Sequence, residues 1–247
     1  MLAPLDVHIS FCQDNLKKFD TLFGTTCFDY LDEAFSDRRL VDEVMAAVRD
    51  VPQFKRKVWD HPRLFGLYRL TMYCLVRHVR PIRIIETGVL HGFSSLLILD
   101  ALVRNGSGRL ISIDDPSYFE TGPANKDGFM DVLPKEMSPG WVVPERHRNF
   151  WDLRLGKSSA LLGPTFKECQ ADIFLHDSEH TYETMMRELE LAWIGVVEGG
   201  FIIADNIDTN TAFFDFANQN GRKMLVCSSD PSDEKYHQPI RFGVLRK

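Results

Sequence analysis

Cysteine is scarce in this chain. The 247 residues include five (Cys12, Cys27, Cys74, Cys169 and Cys227), scattered and without any Cys-x-x-Cys spacing. That excludes a disulfide framework and a thiolate zinc site, and it fits a reducing, cytoplasmic setting. Positive charge is the minority sign: 29 Lys and Arg against 35 Asp and Glu give a formal net charge of -6, with no Lys/Arg-rich run. A nucleic-acid groove is therefore not expected as the main partner surface. No apolar run reaches membrane-spanning length, and the opening Met1–Asp6 has no basic segment leading into an apolar core, so neither a membrane partner nor export is expected. Also missing is Gly-x-Gly-x-x-Gly: the glycine turn that follows the first strand-like run offers only Gly88 and Gly92, which disfavours a dinucleotide.

What the chain does have is 44% hydrophobic residues, enough for one substantial core with a small appendage. It is organised around Ile82–Ser95. An apolar run of strand length ends in Glu86-Thr87, a glycine turn follows, and a Ser-led segment with helical apolar spacing continues to Leu102, which is the pattern of a first βα unit. Gly88 and Gly92 let the backbone turn tightly and lie close to a ligand. The amides of a helix starting near Phe93, with Ser94 and Ser95 in its first turn, would point at a carboxylate or phosphate.

Upstream, residues 1–80 read as a helical extension, with helices over Asp32–Val48 and Arg63–Val79; Leu64, Leu67, Leu70, Tyr73, Cys74 and Val76 make a buried stripe, and Pro81 ends it. The aromatic residues before it are assigned to core packing ahead of a contact between copies, so a homo-oligomer stays open. Downstream, Arg109–Asp114 is a second strand, and an acid at its tip is placed to accept both ribose hydroxyls of a nucleoside. Asp115, followed by Pro116, opens a turn. Residues 116–148 are irregular and rich in proline and aromatics, the composition of a lid. A third strand is expected over Phe150–Leu155. The densest chemistry lies between Ala171 and Asp208: a strand ending in His176-Asp177, then Ser178-Glu179-His180, an amphipathic helix through Trp193, a Gly199-Gly200 turn, and a strand ending in Asp205-Asn206. A crossover of that length makes the two strands parallel neighbours and brings Asp177 beside Asp205 and Asn206 at the carboxyl edge of the sheet. Three oxygen donors there suit Mg²⁺ or another divalent cation better than zinc. A helix over Asp208–Asn220 and strands over Arg222–Cys227 and Ile240–Leu245 complete an α/β, doubly wound, mostly parallel sheet with an antiparallel last strand, occupying residues 81–247.

The Glu86-Thr87-Gly88-x-x-x-Gly92-x-Ser94 pattern resembles the first motif of class I S-adenosylmethionine (SAM) methyltransferases. Asp177-x-x-His180 followed by a Gly-Gly strand ending in an acid–carboxamide pair is similar to the metal-dependent O-methyltransferases, in spacing closest to those that methylate sugar hydroxyls of natural products. The pair Asp205-Asn206 is nearer the catechol and caffeoyl-CoA enzymes, since the sugar enzymes carry Glu-Asp there, whereas His180 stands where the catechol type has lysine. The resemblance implies a Rossmann-like sheet that binds SAM. It assigns Glu86, Gly88, Gly92, Ser94, Ser95 and Asp114 to the cofactor, with Lys157 and Ser158 bordering the adenine. It further assigns Asp177, Asp205 and Asn206 to the metal, His180 and Asp177 to catalysis, and a small hydroxylated molecule as acceptor. Weighed against it are a metal-independent methyltransferase, a non-catalytic SAM-binding module and a nucleotide-dependent oxidoreductase.

Overall fold

A computed structural model describes residues 17–18, 28–51, 54, 67–117, 133–134, 136–228 and 241–247. In chain order its helices are α1 (Phe28–Ser36), α2 (Arg38–Val48), α3 (Leu67–Val79), α4 (Phe93–Asn105), α5 (Ser158–Glu168), α6 (Tyr182–Gly195) and α7 (Ala212–Gln219). Its strands are β1 (Arg83–Thr87), β2 (Arg109–Asp114), β3 (Trp151–Leu155), β4 (Ala171–His176), β5 (Val196–Ala204), β6 (Met224–Ser228) and β7 (Arg241–Arg246), and a 3-10 turn covers Glu145–Phe150. The chain divides into two compact units, Met1–Arg80 with His91–Ser107 and Pro134–Phe150, and Pro81–Leu90 with Gly108–Leu133 and Trp151–Lys247. Helix α4, which the sequence joins to the cofactor domain, sorts with α3, against which it packs.

The second unit holds the sheet. Its order is β3-β2-β1-β4-β5-β7-β6, parallel from β3 to β5 and antiparallel where β7 meets both β5 and β6. This is the expected Rossmann-like sheet with antiparallel closing strands. The order reverses between β1 and β4, the place where open α/β sheets leave a crevice at their carboxyl ends. Pleating sorts the side chains into rows. Ile111, Ile85, Phe174, Ile202 and Leu245 stand in register across five strands and are buried in one core with Leu162 of α5, Met185, Leu189 and Ala192 of α6, and Phe213 and Phe216 of α7. Two residues further along, on the same face, the row reads Ile113, Thr87, His176, Ala204, Gly243. Gly243 leaves room for an aromatic ring, since a Cβ there would lie 2.2 Å from Phe213.

One departure from the sequence pattern lies in β5. Gly199 and Gly200 were expected to form the turn before it, but the strand begins at Val196 and runs through both. The register against β4 shifts between Ala171 and Ile173, and Gly199 takes φ +80°, so the glycines accommodate a bulge inside a strand.

In the first unit the single helix expected over Asp32–Val48 is two. Asp37 interrupts it by accepting the Leu40 N–H at 2.9 Å as the cap of α2, a role the aspartate side chain fills better than a helix-interior position. Helix α3 keeps the predicted buried Leu70, Tyr73, Cys74 and Val76, and it also buries Thr71, Met72 and Leu75, because it packs against both α1 and α4. Residues 63–66 of that predicted helix, residues 118–132 and 135 of the predicted lid, and the loop 229–240 lie outside the described residues. The described end of the lid segment is packed: Gly140, Val142, Val143 and His147 are buried. Among the described residues no helix is long and apolar enough to cross a membrane.

A charged cluster ties this unit together. Asp100 of α4, almost fully buried, accepts Arg104 Nε at 2.8 Å and stands 3.0 Å from His147 Nε2, while Arg146 Nε reaches Glu43 of α2 at 3.0 Å. Burial pushes the Asp100 carboxyl up, but the hydrogen bonds of His147 and Arg104 with the charge of Arg104 outweigh it and hold the group below its ordinary 3.8. A depressed folded value means stability that is present above the unfolded value and lost as pH falls through the folded one. Asp100→Asn should therefore lower stability by about 1.5–3 kcal/mol near neutrality. In urea melts repeated at decreasing pH, its gap to the wild type should stay constant down to the ordinary carboxylate range and close below it; a gap that does not change would show that Asp100 contributes no charge-dependent stability.

Candidate active site

The turn after β1 is built by its neighbours. Gly88 donates its N–H to Ile113 O at 2.8 Å, and a Cβ on it would lie 1.9 Å from the Asp177 carbonyl oxygen; its φ is +83°. Only glycine satisfies both. Asp114, at the tip of β2 and 8% exposed, accepts the N–H groups of Val89 at 2.7 Å and Leu90 at 2.9 Å. Both bonds fall on Oδ2, and among the described residues no hydrogen bond falls on Oδ1. Burial pushes the Asp114 carboxyl above its ordinary value, with the two amides acting in the opposite sense. Leu90 is left-handed at φ +48°, a cost that a non-glycine residue bears only where its surroundings hold it. Asp115, by contrast, bonds the Ser117 amide and hydroxyl, the turn role expected for it.

Other predicted cofactor residues are placed less directly. Glu86 is fully buried inside β1 and accepts the Ser112 hydroxyl at 2.5 Å, with Trp151 Nε1 donating to Ser112 in turn at 2.6 Å. Lys157 is exposed before α5, and Ser158, the first residue of that helix, is half-buried. In the first unit Gly92 opens α4 at φ +92° with no side-chain cap, Ser95 is buried and Ser94 half-buried. A Cβ on Gly92 would come within 2.7 Å of Gly140 Cα, so this glycine too is fixed by close backbone approach.

The ends of β4 and β5 carry the remaining groups. The strands are parallel and His176 pairs with Ala204, so Asp177 and Asp205 leave the sheet side by side; the Asp205 N–H bonds His176 O at 2.9 Å and the Asp177 N–H bonds Thr87 O at 2.9 Å. His180, 7% exposed, has Nε2 3.3 Å from Asn206 Nδ2 and 3.8 Å from Asp177 Oδ1. With the carboxamide nitrogen as donor, Nε2 is the acceptor and carries the basic lone pair. The His180 carbonyl takes Asn210 Nδ2 at 3.0 Å. Helix α6 is capped by Thr181, whose hydroxyl accepts the Thr184 N–H, so neither Asp177 nor His180 is occupied in capping it. Asn206 is a turn former as well, left-handed at φ +49°, with its carbonyl bonded by Thr209. The structure thus brings together His180, Asp177 and Asn206. Among the described residues no three His, Cys, Asp or Glu side chains are grouped so that they could hold a metal ion. The oxygen donors at these strand ends are of the type Mg²⁺ takes.

Sequence reasoning left His176 without a role and passed over Glu188. Glu188 is 2% exposed and accepts Thr87 Oγ1 at 2.5 Å, His176 Nδ1 at 2.7 Å and Ser178 Oγ at 2.8 Å. The signal was present: Glu188 sits in the helical stripe Met185–Leu189–Ala192, where an acid among core residues needs a partner.

Residues 85–207 match the family described as "Methyltransferase domain". No curated protein matches the chain. Among solved structures, an O-methyltransferase from Bacillus cereus in complex with S-adenosylhomocysteine (SAH) is 13% identical, with 83% of this chain and 91% of that one covered and a TM-score of 0.55. TomG from Streptomyces achromogenes, an O-methyltransferase of tomaymycin synthesis in complex with SAM, is 16% identical over 85% of this chain and 90% of that one, TM-score 0.55. SAH-bound PaMTH1 from Podospora anserina is 13% identical over 85% and 87%, TM-score 0.51. At these identities the likeness is one of fold.

Gly88 and Gly106 allow the turn to be tested. Both are left-handed, but a Cβ on Gly106 meets nothing within 4 Å. Gly106→Ala should cost about 1–2 kcal/mol of unfolding free energy, the strain of the conformation alone, and Gly88→Ala distinctly more because the Asp177 carbonyl must also move. Equal urea midpoints for the two variants would show that the close approach at Gly88 is not maintained.

Proposed function

We propose, for a chain that carries a methyltransferase domain of the class I, SAM-dependent kind over residues 85–207, that it transfers the methyl group to a hydroxyl of a small molecule, a sugar or another natural-product acceptor. The observation that carries this reading is His180, a nearly buried imidazole whose Nε2 faces Asn206 and Asp177 at the carboxyl edge of the sheet. Structures of O-methyltransferases bound to SAM or SAH, one of them in natural-product synthesis, support it through fold.

SAM, when bound, supplies a methyl activated on a sulfonium, so transfer releases a neutral thioether. The protein's part is to hold an acceptor oxygen in line and to take its proton. Asp114 Oδ1 and the turn at Gly88 are assigned to the nucleoside. His180 Nε2, exchanging the long Asn206 hydrogen bond for the acceptor, takes the hydroxyl proton as the oxygen lone pair forms the new bond to carbon and the carbon–sulfur pair returns to sulfur. Asp177, 3.8 Å away, stabilises the imidazolium that results. Asp177, Asp205 and Asn206 are the residues that would hold Mg²⁺, which would lower the acceptor's pKa.

The test is methyl transfer from labelled SAM to a panel of small hydroxylated acceptors, with and without EDTA. His180→Ala should lower kcat about 10²- to 10⁴-fold with SAH affinity nearly intact, and Asp114→Ala should weaken SAH binding by about 1.5–3 kcal/mol in calorimetry. Loss of turnover in EDTA, restored by Mg²⁺, would assign the cation to Asp177, Asp205 and Asn206; full turnover in EDTA would leave His180 as the sole activator. SAH binding without transfer to any acceptor would make the chain a binding module.

A further inference from the structure

Polar side chains interrupt an otherwise apolar sheet face. Where the first core row is Ile111, Ile85, Phe174, Ile202 and Leu245, the next one toward the strand ends places Thr87 and His176 side by side, both fully buried. Glu188 of α6 lies over them. Its Oε2 accepts Thr87 Oγ1 at 2.5 Å and His176 Nδ1 at 2.7 Å, and its Oε1 accepts Ser178 Oγ at 2.8 Å. All of these are donors, so the carboxylate is the acceptor throughout and the His176 tautomer is fixed with its proton on Nδ1. Among the described residues Nε2 of that ring has no hydrogen-bond partner, which a lone pair tolerates better than an N–H would. The fixed ring then meets His180 edge to face, with centroids 5.5 Å apart and planes at 84°.

We propose that Glu188 is the positioning residue of the proposed base: by holding His176 and Ser178 it fixes the Asp177–His180 turn and the plane of the His180 ring. The inference rests on the reading of His180 as base. The turn has three anchors: the Asp177 N–H on Thr87 O, the Ser178 hydroxyl on Glu188 Oε1, and the His180 carbonyl held by Asn210. Of these, the Ser178 anchor ends on Glu188 directly, and the first comes from the strand residue whose hydroxyl Glu188 also binds. Replacing Glu188 by Gln keeps the shape but removes one of the two acceptor oxygens and introduces a donor facing donors, so the ring of His176 and the Ser178 hydroxyl cannot both stay satisfied. The effect reaches His180 through the turn and through the edge-to-face ring of His176.

The experiment compares the full-length wild type with Glu188→Gln, Thr87→Val, Ser178→Ala and His180→Ala. Each is assayed by thermal melting, SAH calorimetry, kcat and KM for an accepted hydroxyl substrate, and histidine-labelled NMR of the imidazole resonances. The expected result for Glu188→Gln is a folded protein with SAH affinity within about twofold, kcat lowered about 10- to 100-fold as for a misplaced catalytic group, KM little changed, and shifted His180 ring resonances. Thr87→Val and Ser178→Ala should move the same resonances by less. If Glu188→Gln does not fold, these two variants decide: resonances that do not move in either overturn the proposal. A folded Glu188→Gln with His180 resonances and kcat like the wild type overturns it too. The imidazole resonances report positioning without reference to turnover, so a His180→Ala protein of undiminished kcat would defeat the reading of His180 as base while the NMR comparison still decided the role of Glu188.

Discussion

A carboxylate sealed inside a protein must be surrounded by donors, because leaving an ion there unmatched costs several kcal/mol. Glu188 imposes that condition on everything around the strand ends. Burial works to raise its pKa, but its interactions with His176 and the Thr87 hydroxyl prevail and hold it below the ordinary value. One side chain on α6 thereby connects β1, β4 and the turn that carries Asp177 and His180. The apolar rows of the sheet are interchangeable in kind, since Ile, Leu or Val can fill them. The polar row is not, because each member is defined by what Glu188 requires of it.

The neighbouring turn, after β1, is held by a second buried acid. Asp114 gathers the amides of Val89 and Leu90 on one oxygen and so keeps Leu90 in a left-handed conformation. Asn206, at the end of β5, is left-handed as well. Non-glycine residues of this kind concentrate where surrounding structure over-determines the backbone, and both stand next to residues assigned here to ligand or acceptor. At the carboxyl edge the backbone is thus held by hydrogen bonds and by close steric contact.

Much of this was legible in the sequence for a physical reason. A strand of a parallel sheet must alternate or fill with apolar residues, and acids at its carboxyl end are visible as breaks in that run. Glu86-Thr87-Gly88, Asp114, Asp177 and Asp205 could all be placed at strand ends from local pattern alone. What stayed hidden depended on partners distant in the chain. Gly199-Gly200 has the composition of a turn, and only the pairing of β5 with β4 draws it into a strand. Asp37 looks like one polar residue in an amphipathic helix until its side chain takes the Leu40 amide. Gly88 was recognisable as a glycine position, yet its reason, the Asp177 carbonyl 1.9 Å from where a Cβ would be, comes from a segment almost ninety residues later. Glu188 was passed over because helical periodicity reports which face is buried and says nothing of what lies opposite it.

The sheet also places a double duty on one short segment. Strand β7 lies between β5 and β6, so residues 241–246 supply a neighbour to two strands at once. Without β7, β5 would present an open edge and β6 would have no partner in the sheet, the two unsatisfied edges that invite pairing with another chain. Lys247 finishes the ladder, donating its N–H to Gly200 O at 2.9 Å and accepting the Gly199 N–H at 3.1 Å. Residues 241–247 thus act as a keystone: one segment shields both edges from strand addition by other molecules.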